Sequence, residues 1–383
     1  MHCFENVVAM HIYDYIIIGS GLTGLAIAKK ISQDTDNILI LEAQDLTGGN
    51  NRPTTLNKQT INNGLRFFPA TEVSKKTLSF LEDLLGQVFL NSKIENSIET
   101  FDSGNFKKFV GFGERPPEFY EQMLYFLSKE EFVLSHSPYL WTEKLANSLK
   151  NKIQKNSIVT AFGFENLESE KQKLSFVMVN GSKKVYAQNF IFTGAVKDLA
   201  LLVPEDILNE RAKAKLKKSK AWHGVCLDLF HSATIEKSNL FLLNGTTDDD
   251  IGPCIGRFLP TASKIEGQIS QWMSFIESEA AEDTENIGLV LKKIKRQFKR
   301  AFPELADTIK KERIFVTPAL TGFDLKLSAN GTLLKVPNLW IASSHASPYQ
   351  NLMGSLMQVQ FILSSLGFGS SLAIEPIIND LSL

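Results

Sequence analysis

Two hydrophobic patterns alternate along the chain. Short runs dominated by apolar residues occur at residues 14–18 (DYIII), Asn37–Leu41 (NILIL), Asn189–Thr193 (NFIFT) and Asn338–Ala342 (NLWIA). Strands with few polar positions belong in a sheet covered on both faces, as parallel sheets are. Apolar residues at helical spacing follow the first run in Gly24–Ile31 (GLAIAKKI), and recur in Lys75–Leu85, Trp141–Ile153, Thr284–Arg300 and Leu352–Leu366.

A different texture fills residues 205–320. Ala221–His231 and Gln268–Glu277 alternate apolar and polar positions, the pattern of an antiparallel sheet. Short strand-like pieces also stand at Ile98–Phe101 and Lys107–Gly111. Leu174–Val179 and Lys183–Tyr186 are joined by Asn180-Gly181, a pair that favours a type I′ hairpin turn. The buried-strand texture returns at the start, middle and end of the chain. The expected fold class is therefore α/β, with a Rossmann-like nucleotide-binding domain built from separated segments, residues 10–72, 141–204 and 331–383. Residues 73–140 form a cap segment, and 205–330 form an inserted α+β substrate domain containing an antiparallel sheet.

Candidate chemistry begins where the first apolar run breaks into glycines. Strand, turn, helix and strand fall within about 30 residues, the βαβ unit that gives Gly19-Ser20-Gly21-Leu22-Thr23-Gly24 its meaning. Gly19 permits the tight turn, Gly21 admits a pyrophosphate to the backbone, and Gly24 lets the helix pack on the sheet. The helix N-terminus then offers its unpaired N–H groups and positive dipole end to the phosphates. Glu42 closes the second strand, where an acid accepts hydrogen bonds from an adenosine ribose and repels a 2′-phosphate.

The residues after Glu42 separate the dinucleotides. Glu42-Ala43 leads into Gly48-Gly49-Asn50-Asn51-Arg52, and here the chain resembles the flavin-containing amine oxidase superfamily. That superfamily includes the phytoene desaturase-like and protoporphyrinogen oxidase-like enzymes and is related to UDP-galactopyranose mutases. The resemblance implies FAD, with the Gly-Gly pair against its pyrophosphate and Arg52 as a phosphate partner; no cysteine follows Cys254 to form the C-terminal cysteinyl tether of some members, so the expected FAD is non-covalent. Asn50 matches the mutase variant. Asn62–Phe67 resembles the segment passing the flavin ring, which brings in Leu65 and Arg66. Ser157–Thr160 is similar to the strand whose valine backbone, here Val159, pairs with adenine; Phe162 takes an isoleucine place. The run ending in Thr193 and Gly194 leads back to the nucleotide. Pro337–Ala342 resembles the strand before the ribityl site, where Ser343-Ser344 replace Gly and an acid. The next helix, from Leu352 and Met353, points its N-terminus at the flavin pyrimidine in the family.

The implied activity is an FAD-dependent oxidoreductase that moves a hydride from a C–N or C–C bond to flavin N5. The alternatives are non-redox mutase chemistry and FAD binding with little activity. Arg66 can hold an anionic substrate or flavin O4, or serve as a surface ion-pair partner. His345 and Tyr349 border the ring in this reading, with the imidazole as proton acceptor near neutrality; a loop histidine bonded to backbone is the other reading. Trp222, His223 and Trp272 read as core residues or as a wall over the flavin.

Composition removes competing classes. Lys and Arg total 41 against 42 Asp and Glu, so no bulk charge favours nucleic acid. The six basic residues of Arg211–Lys220 carry no interleaved aromatics and read as a solvated helix. Cys3, Cys226 and Cys254 lack CxxC spacing, which argues against zinc or a disulfide framework and for a reducing compartment. The first residues lack the features of a signal peptide, and Leu352–Phe368 is too polar for a membrane span. The expectation is a cytoplasmic enzyme acting on a small molecule.

Overall fold

A computed structural model of the chain describes residues 11–112, 119, 123, 125–166, 171–218, 221–235, 239–243, 253–261, 266–318, 327–343 and 351–369. Its first sheet opens with β1 (Ile12–Ile18), α1 (Leu22–Ile31) and β2 (Ile38–Leu41), the two strands pairing in parallel from Tyr15–Ile38 to Ile18–Leu41. β9 (Ile153–Gln154) extends the sheet beyond β2, while β10 (Val159–Asn166), β11 (Gln172–Val179) and β12 (Lys183–Phe192) lie on the other side of β1. β18 (Leu339–Ile341) pairs with the end of β12. The mixed α/β class read from the sequence holds.

β12 joins two kinds of pairing. Tyr186 lies antiparallel to Phe176 of β11, and the strand from Tyr186 to Phe192 runs parallel to β1. The sequence pattern splits this strand in two at residues 187–188. Partners on both sides carry the backbone straight through instead, and the Asn338 amide donates to Gln188 O at 2.9 Å. The hairpin turn has φ of 51° at Asn180 and 74° at Gly181, the left-handed pair a type I′ turn requires.

α1, α2 (Glu72–Leu85), α3 (Pro138–Ser148) and α8 (Asn351–Ser365) cover one face, around Leu25, Ile40, Leu78, Trp141 and Val359. α4 (Val196–Leu202) and α5 (Glu210–Lys218) pack on the other face, with Phe190, Leu199 and Leu216. The spacing around α3 predicts a helix over Trp141–Ile153. The helix instead begins at Pro138, whose missing N–H falls among the free donors of the first turn. It stops at Ser148 because Ile153 pairs with Ile40 as part of β9.

The second sheet has the order β17-β13-β16-β15-β14-β6-β7. Its strands are β6 (Ile98–Asp102), β7 (Asn105–Lys108), β13 (Trp222–His231), β14 (Leu240–Leu243), β15 (Cys254–Phe258), β16 (Gln268–Glu277) and β17 (Ile309–Val316). Pairing is antiparallel except between β14 and β6. α6 (Thr284–Ala301) and α7 (Pro303–Ala306) accompany this sheet, and Phe298 and Phe302 pack on Leu227 and Trp272 on one face. The opposite, inner face packs Met273 and Phe275 against Leu65 and Phe67.

Both faces are thus covered, so the polar positions of β13 and β16 are buried rather than solvated. They are satisfied internally: His231 and the Trp272 indole both bond Ser270 Oγ, each at 2.8 Å. Two hairpin-like pairs, β3 (Pro53–Leu56) with β4 (Gln59–Asn62) and β5 (Leu90–Glu95) with β8 (Glu130–Leu134), complete the strands described. A bidentate ion pair joins β8 to the second sheet: Arg257 donates to both oxygens of the buried Glu131 carboxylate, at 3.1 and 2.9 Å. No described helix is long and apolar enough to cross a membrane.

Candidate nucleotide-binding site

The site grows from the end of β1. Gly19 has φ of 106°, and its N–H donates to Leu41 O at 2.8 Å. A β-carbon there would stand 2.5 Å from Thr193 Oγ1, so the turn needs glycine on both conformational and packing grounds. At Gly24 a β-carbon would overlap Gly19 O, because α1 crosses directly over the turn. Gly21 differs. A β-carbon there meets no protein atom within 4 Å, and its backbone is ordinary extended chain. Protein packing does not demand glycine at this position, whereas a phosphate approaching the start of α1 does.

Glu42 is already organised. Its Oε2 accepts the Ser20 N–H at 2.9 Å and the Ser20 hydroxyl at 2.5 Å, and its Oε1 accepts the Gln44 N–H at 2.9 Å. These donors fix the carboxylate at the mouth of the turn and leave it lone pairs for a ribose. Its backbone also bonds Gln154 O and the Ser157 N–H, at 3.0 and 2.8 Å, which brings the start of β10, and Val159 with it, beside the strand end. Ala43 is exposed next to it.

The second glycine pair closes on the first. Gly48 N–H donates to Ser20 O at 2.9 Å, and a β-carbon on Gly49 would lie 3.2 Å from the Gly21 α-carbon. Residues Gly49–Asn51 form a short 3-10 turn, with Asn50 exposed. The two glycine motifs, more than twenty positions apart in the chain, are therefore one surface. Side chains around it do other work. Arg52 donates to the Gln44 side chain at 2.8 Å, and Arg66 donates to Asn50 O at 2.6 Å and Leu65 O at 3.3 Å.

Other sequence candidates fall at varying distance from this turn. Thr193 donates to Ile18 O at 2.8 Å beside Gly19, and Gly194 follows it. Leu22, Leu65 and Met353 are core side chains, and Thr77 donates to the Met353 sulfur at 3.1 Å. Leu352 packs on the same core, so any part the two play at a cofactor runs through the backbone of α8. Thr23 is half-buried in the first turn of α1, and Ser343 is buried after β18. Ser344, His345 and Tyr349 lie outside the described residues. Trp272 belongs to the α6-facing core, and His223 bonds Thr317 O and Ser278 Oγ at 2.7 and 3.0 Å.

Local sequence gave no sign of a polar cluster on the inner face of the second sheet. Asp228 on β13 accepts from Arg313 Nη1 at 2.7 Å and from Gln271 Nε2 at 3.1 Å, and Arg313 Nη2 also donates to the Asn63 side chain. Burial pushes the Asp228 carboxyl up from the usual carboxylate range, while Arg313, Gln271 and Arg66 pull it back. Burial likewise pushes the Cys226 thiol far up, which makes it an inert thiol. Among the described residues no group of histidine, cysteine or acidic side chains could hold a metal ion.

Known proteins resemble the chain in part of its sequence and in its fold. Residues 17–84 match the family described as an NAD(P)-binding Rossmann-like domain. Over 54 residues the chain is 39% identical to flavin-containing amine oxidase A of Equus caballus, a match spanning 14% of this chain and 10% of that protein. Solved structures extend the likeness in fold. A protein from Exiguobacterium sp. 255-15, provisionally described as a protoporphyrinogen oxidase, aligns with a TM-score of 0.65 at 14% identity, over 93% of this chain and 99% of its own. An oxidoreductase from Methanosarcina mazei aligns with a TM-score of 0.65 at 12% identity, over 91% and 99%. A putrescine oxidase solved with putrescine aligns with a TM-score of 0.63 at 11% identity, over 93% and 98%. The chain thus carries a Rossmann-like segment at residues 17–84 within a fold that it shares with the putrescine oxidase and Exiguobacterium structures, and the resemblance to the flavin-containing amine oxidase superfamily holds.

Proposed function

We propose that the protein is an FAD-dependent oxidoreductase of the amine oxidase-like kind, binding its flavin without a covalent tether. One observation carries this reading. The Gly48–Gly49 pair packs onto the Gly21 turn, so that two glycine motifs and the start of α1 form one surface with Glu42 at its edge, which suits a pyrophosphate. A plain NAD site of the βαβ type needs only the first glycine motif. FAD, when bound, would supply the redox chemistry, its N5 taking the hydride of a C–H bond as a C–N or C–C single bond of the substrate is oxidised to a double bond.

The residues divide the binding work by position. Backbone N–H groups from Gly21 to Gly24 and those of Gly49 and Asn50 hold the phosphates, while Gly48 and Asn51 spend theirs on the turn itself. Glu42 takes the adenosine ribose, and Val159 lies on the adenine side. Ser343 and Ser344 hold the ribityl chain with hydroxyls in place of a carboxylate. The N-terminal turn of α8, at Leu352 and Met353, faces the flavin pyrimidine, where its dipole favours negative charge. Arg66 keeps the Gly48–Asn51 turn in place from the substrate side, and His345 and Tyr349 are the proton-handling and ring-bordering candidates.

The purified protein tests this directly. A yellow preparation with flavin absorbance, bleached anaerobically by an amine or another hydride donor, is the expected result. A colourless protein that takes up no added FAD refutes the reading. Yellow protein that binds a UDP-sugar only after dithionite reduction replaces oxidase chemistry with mutase chemistry.

A further inference from the structure

Two ion pairs with a buried carboxylate lie on the inner face of the second sheet, and they lead to different places. Glu131–Arg257 ties β8 to β15. Asp228–Arg313 spans β13 and β17, and from it hydrogen bonds lead to Asn62 and Asn63, whose chain runs on to Arg66 and the nucleotide turn. Arg313 donates to Asp228 and to the Asn63 side chain. Gln271, from β16, donates to Asp228 Oδ1 and to Asn62 O, both at 3.1 Å. Two strands thus grip two consecutive residues of the segment, through side chains that Asp228 of β13 holds in place.

The segment lies flat on the sheet from there. A β-carbon at Gly64 would stand 2.8 Å from Phe315 Cζ and 3.5 Å from Cys226 Sγ, and Leu65 is buried among the aromatic residues of the inner face. Arg66 ends it, donating at 2.6 Å to Asn50 O in the turn whose Gly49 abuts Gly21. Asn62 to Arg66 is therefore a short strut with one end in the second sheet and the other on the phosphate-facing turn.

We propose that Asp228 and Arg313, with Gln271, are positioning residues for the nucleotide site: they seat the strut, and the strut sets how closely the Gly48–Asn51 turn lies against Gly21. A buried ion pair adds little net stability over apolar packing of the same volume, and in this reading the contribution of Asp228–Arg313 is the placement of Asn62 and Asn63. Packed side chains, hydrogen bonds and stiff backbone carry coupling of this kind, and the strut combines all three. The inference rests on the FAD reading above.

The test is FAD titration of the full chain by flavin fluorescence, together with visible circular dichroism of the bound flavin and a urea midpoint for the apoprotein. Asp228→Asn and Arg313→Met are each expected to weaken FAD binding about 2- to 30-fold and to change the flavin dichroism. Arg313→Lys recovers part of the loss. The Arg66→Met/Arg313→Met double variant loses less than the product of the single effects, because both cut one strut. Glu131→Gln lowers the urea midpoint and leaves FAD affinity within about twofold, because its carboxylate bonds Arg257 and the Phe68 backbone and no residue of the strut. If Asp228→Asn does not fold, Asn63→Ala cuts the strut at the same end. The proposal is overturned if the variants lose stability with affinity and dichroism unchanged. Multiplicative Arg66 and Arg313 effects, or an equal affinity loss in Glu131→Gln, overturn it as well. Wild-type protein that binds no FAD removes the flavin reading itself, a result seen before any substitution is made.

Discussion

Alanine at Gly21 and at Gly24, three residues apart in one turn, is expected to do opposite things. At Gly24 the new methyl group overlaps Gly19 O and lies 3.2 Å from both Gly19 C and Ile17 Cγ2. The neighbours are backbone and a strand side chain, so no rotamer change relieves the clash. α1 must lift from β1, and overpacking of this sort costs about 3 kcal/mol or more. At Gly21 the methyl meets nothing within 4 Å, with φ of −68° that alanine adopts freely. Restricting the unfolded chain stabilises by about 0.4–1 kcal/mol, and alanine is a poorer helix N-cap than glycine by a similar amount, so the two effects nearly cancel. The methyl does project where a pyrophosphate meets the backbone, and FAD affinity should fall at least about tenfold, or roughly 1.4 kcal/mol. Urea unfolding of the apoproteins measures the first quantity and FAD titration the second. Loss of stability in Gly21→Ala matching that of Gly24→Ala refutes the argument, and so does undiminished FAD binding in Gly21→Ala.

Other consequences are equally direct. Glu42→Ala strips the acceptor from Ser20 N–H, Ser20 Oγ and Gln44 N–H, and should cost about 2–3 kcal/mol in apoprotein stability at roughly 1 kcal/mol per bond; a urea midpoint equal to wild type contradicts it. Glu131→Ala leaves the Arg257 guanidinium without its buried carboxylate and should cost about 3 kcal/mol, while replacing both residues with methionine costs less. Comparing the two urea midpoints decides this. His231 is fully buried and its pKa is lowered, chiefly by burial, so the fold favours the neutral ring. Below the ordinary value of 6.5 the unfolded chain binds the proton first, and stability falls with pH until the lowered folded-state pKa is passed. His231→Gln should flatten that acid limb, read as urea midpoints between pH 7.5 and pH 5; an unchanged slope assigns it to other groups.

Local pattern was enough for the elements with strong periodicity or turn chemistry. α1, α2, α6 and α8 stand close to where helical spacing places them, and the Asn180-Gly181 hairpin has the turn its residues require. The ends of α3 and the continuity of β12 were not legible, because each is decided by a partner strand distant in the chain. Alternation in β13 and β16 was visible, but not that both faces are covered, since the covering helix α6 comes later in the sequence and the inner face is closed by Leu65, Phe67 and the aromatic residues near them.

The same division runs through the site. The sequence by itself determined the turn at Gly19–Gly24, the acid at Glu42 and the Gly-Gly pair, because steric freedom and helix-terminus electrostatics act within a few residues. Tertiary structure alone decided that the pair rests on Gly21 and that Arg66 holds Asn50 O rather than reaching outward. It alone joined Asn63 to Arg313 across 250 positions. Hydrogen bonds between distant residues leave no period in the chain, and only the packed sheets bring their donors and acceptors within reach.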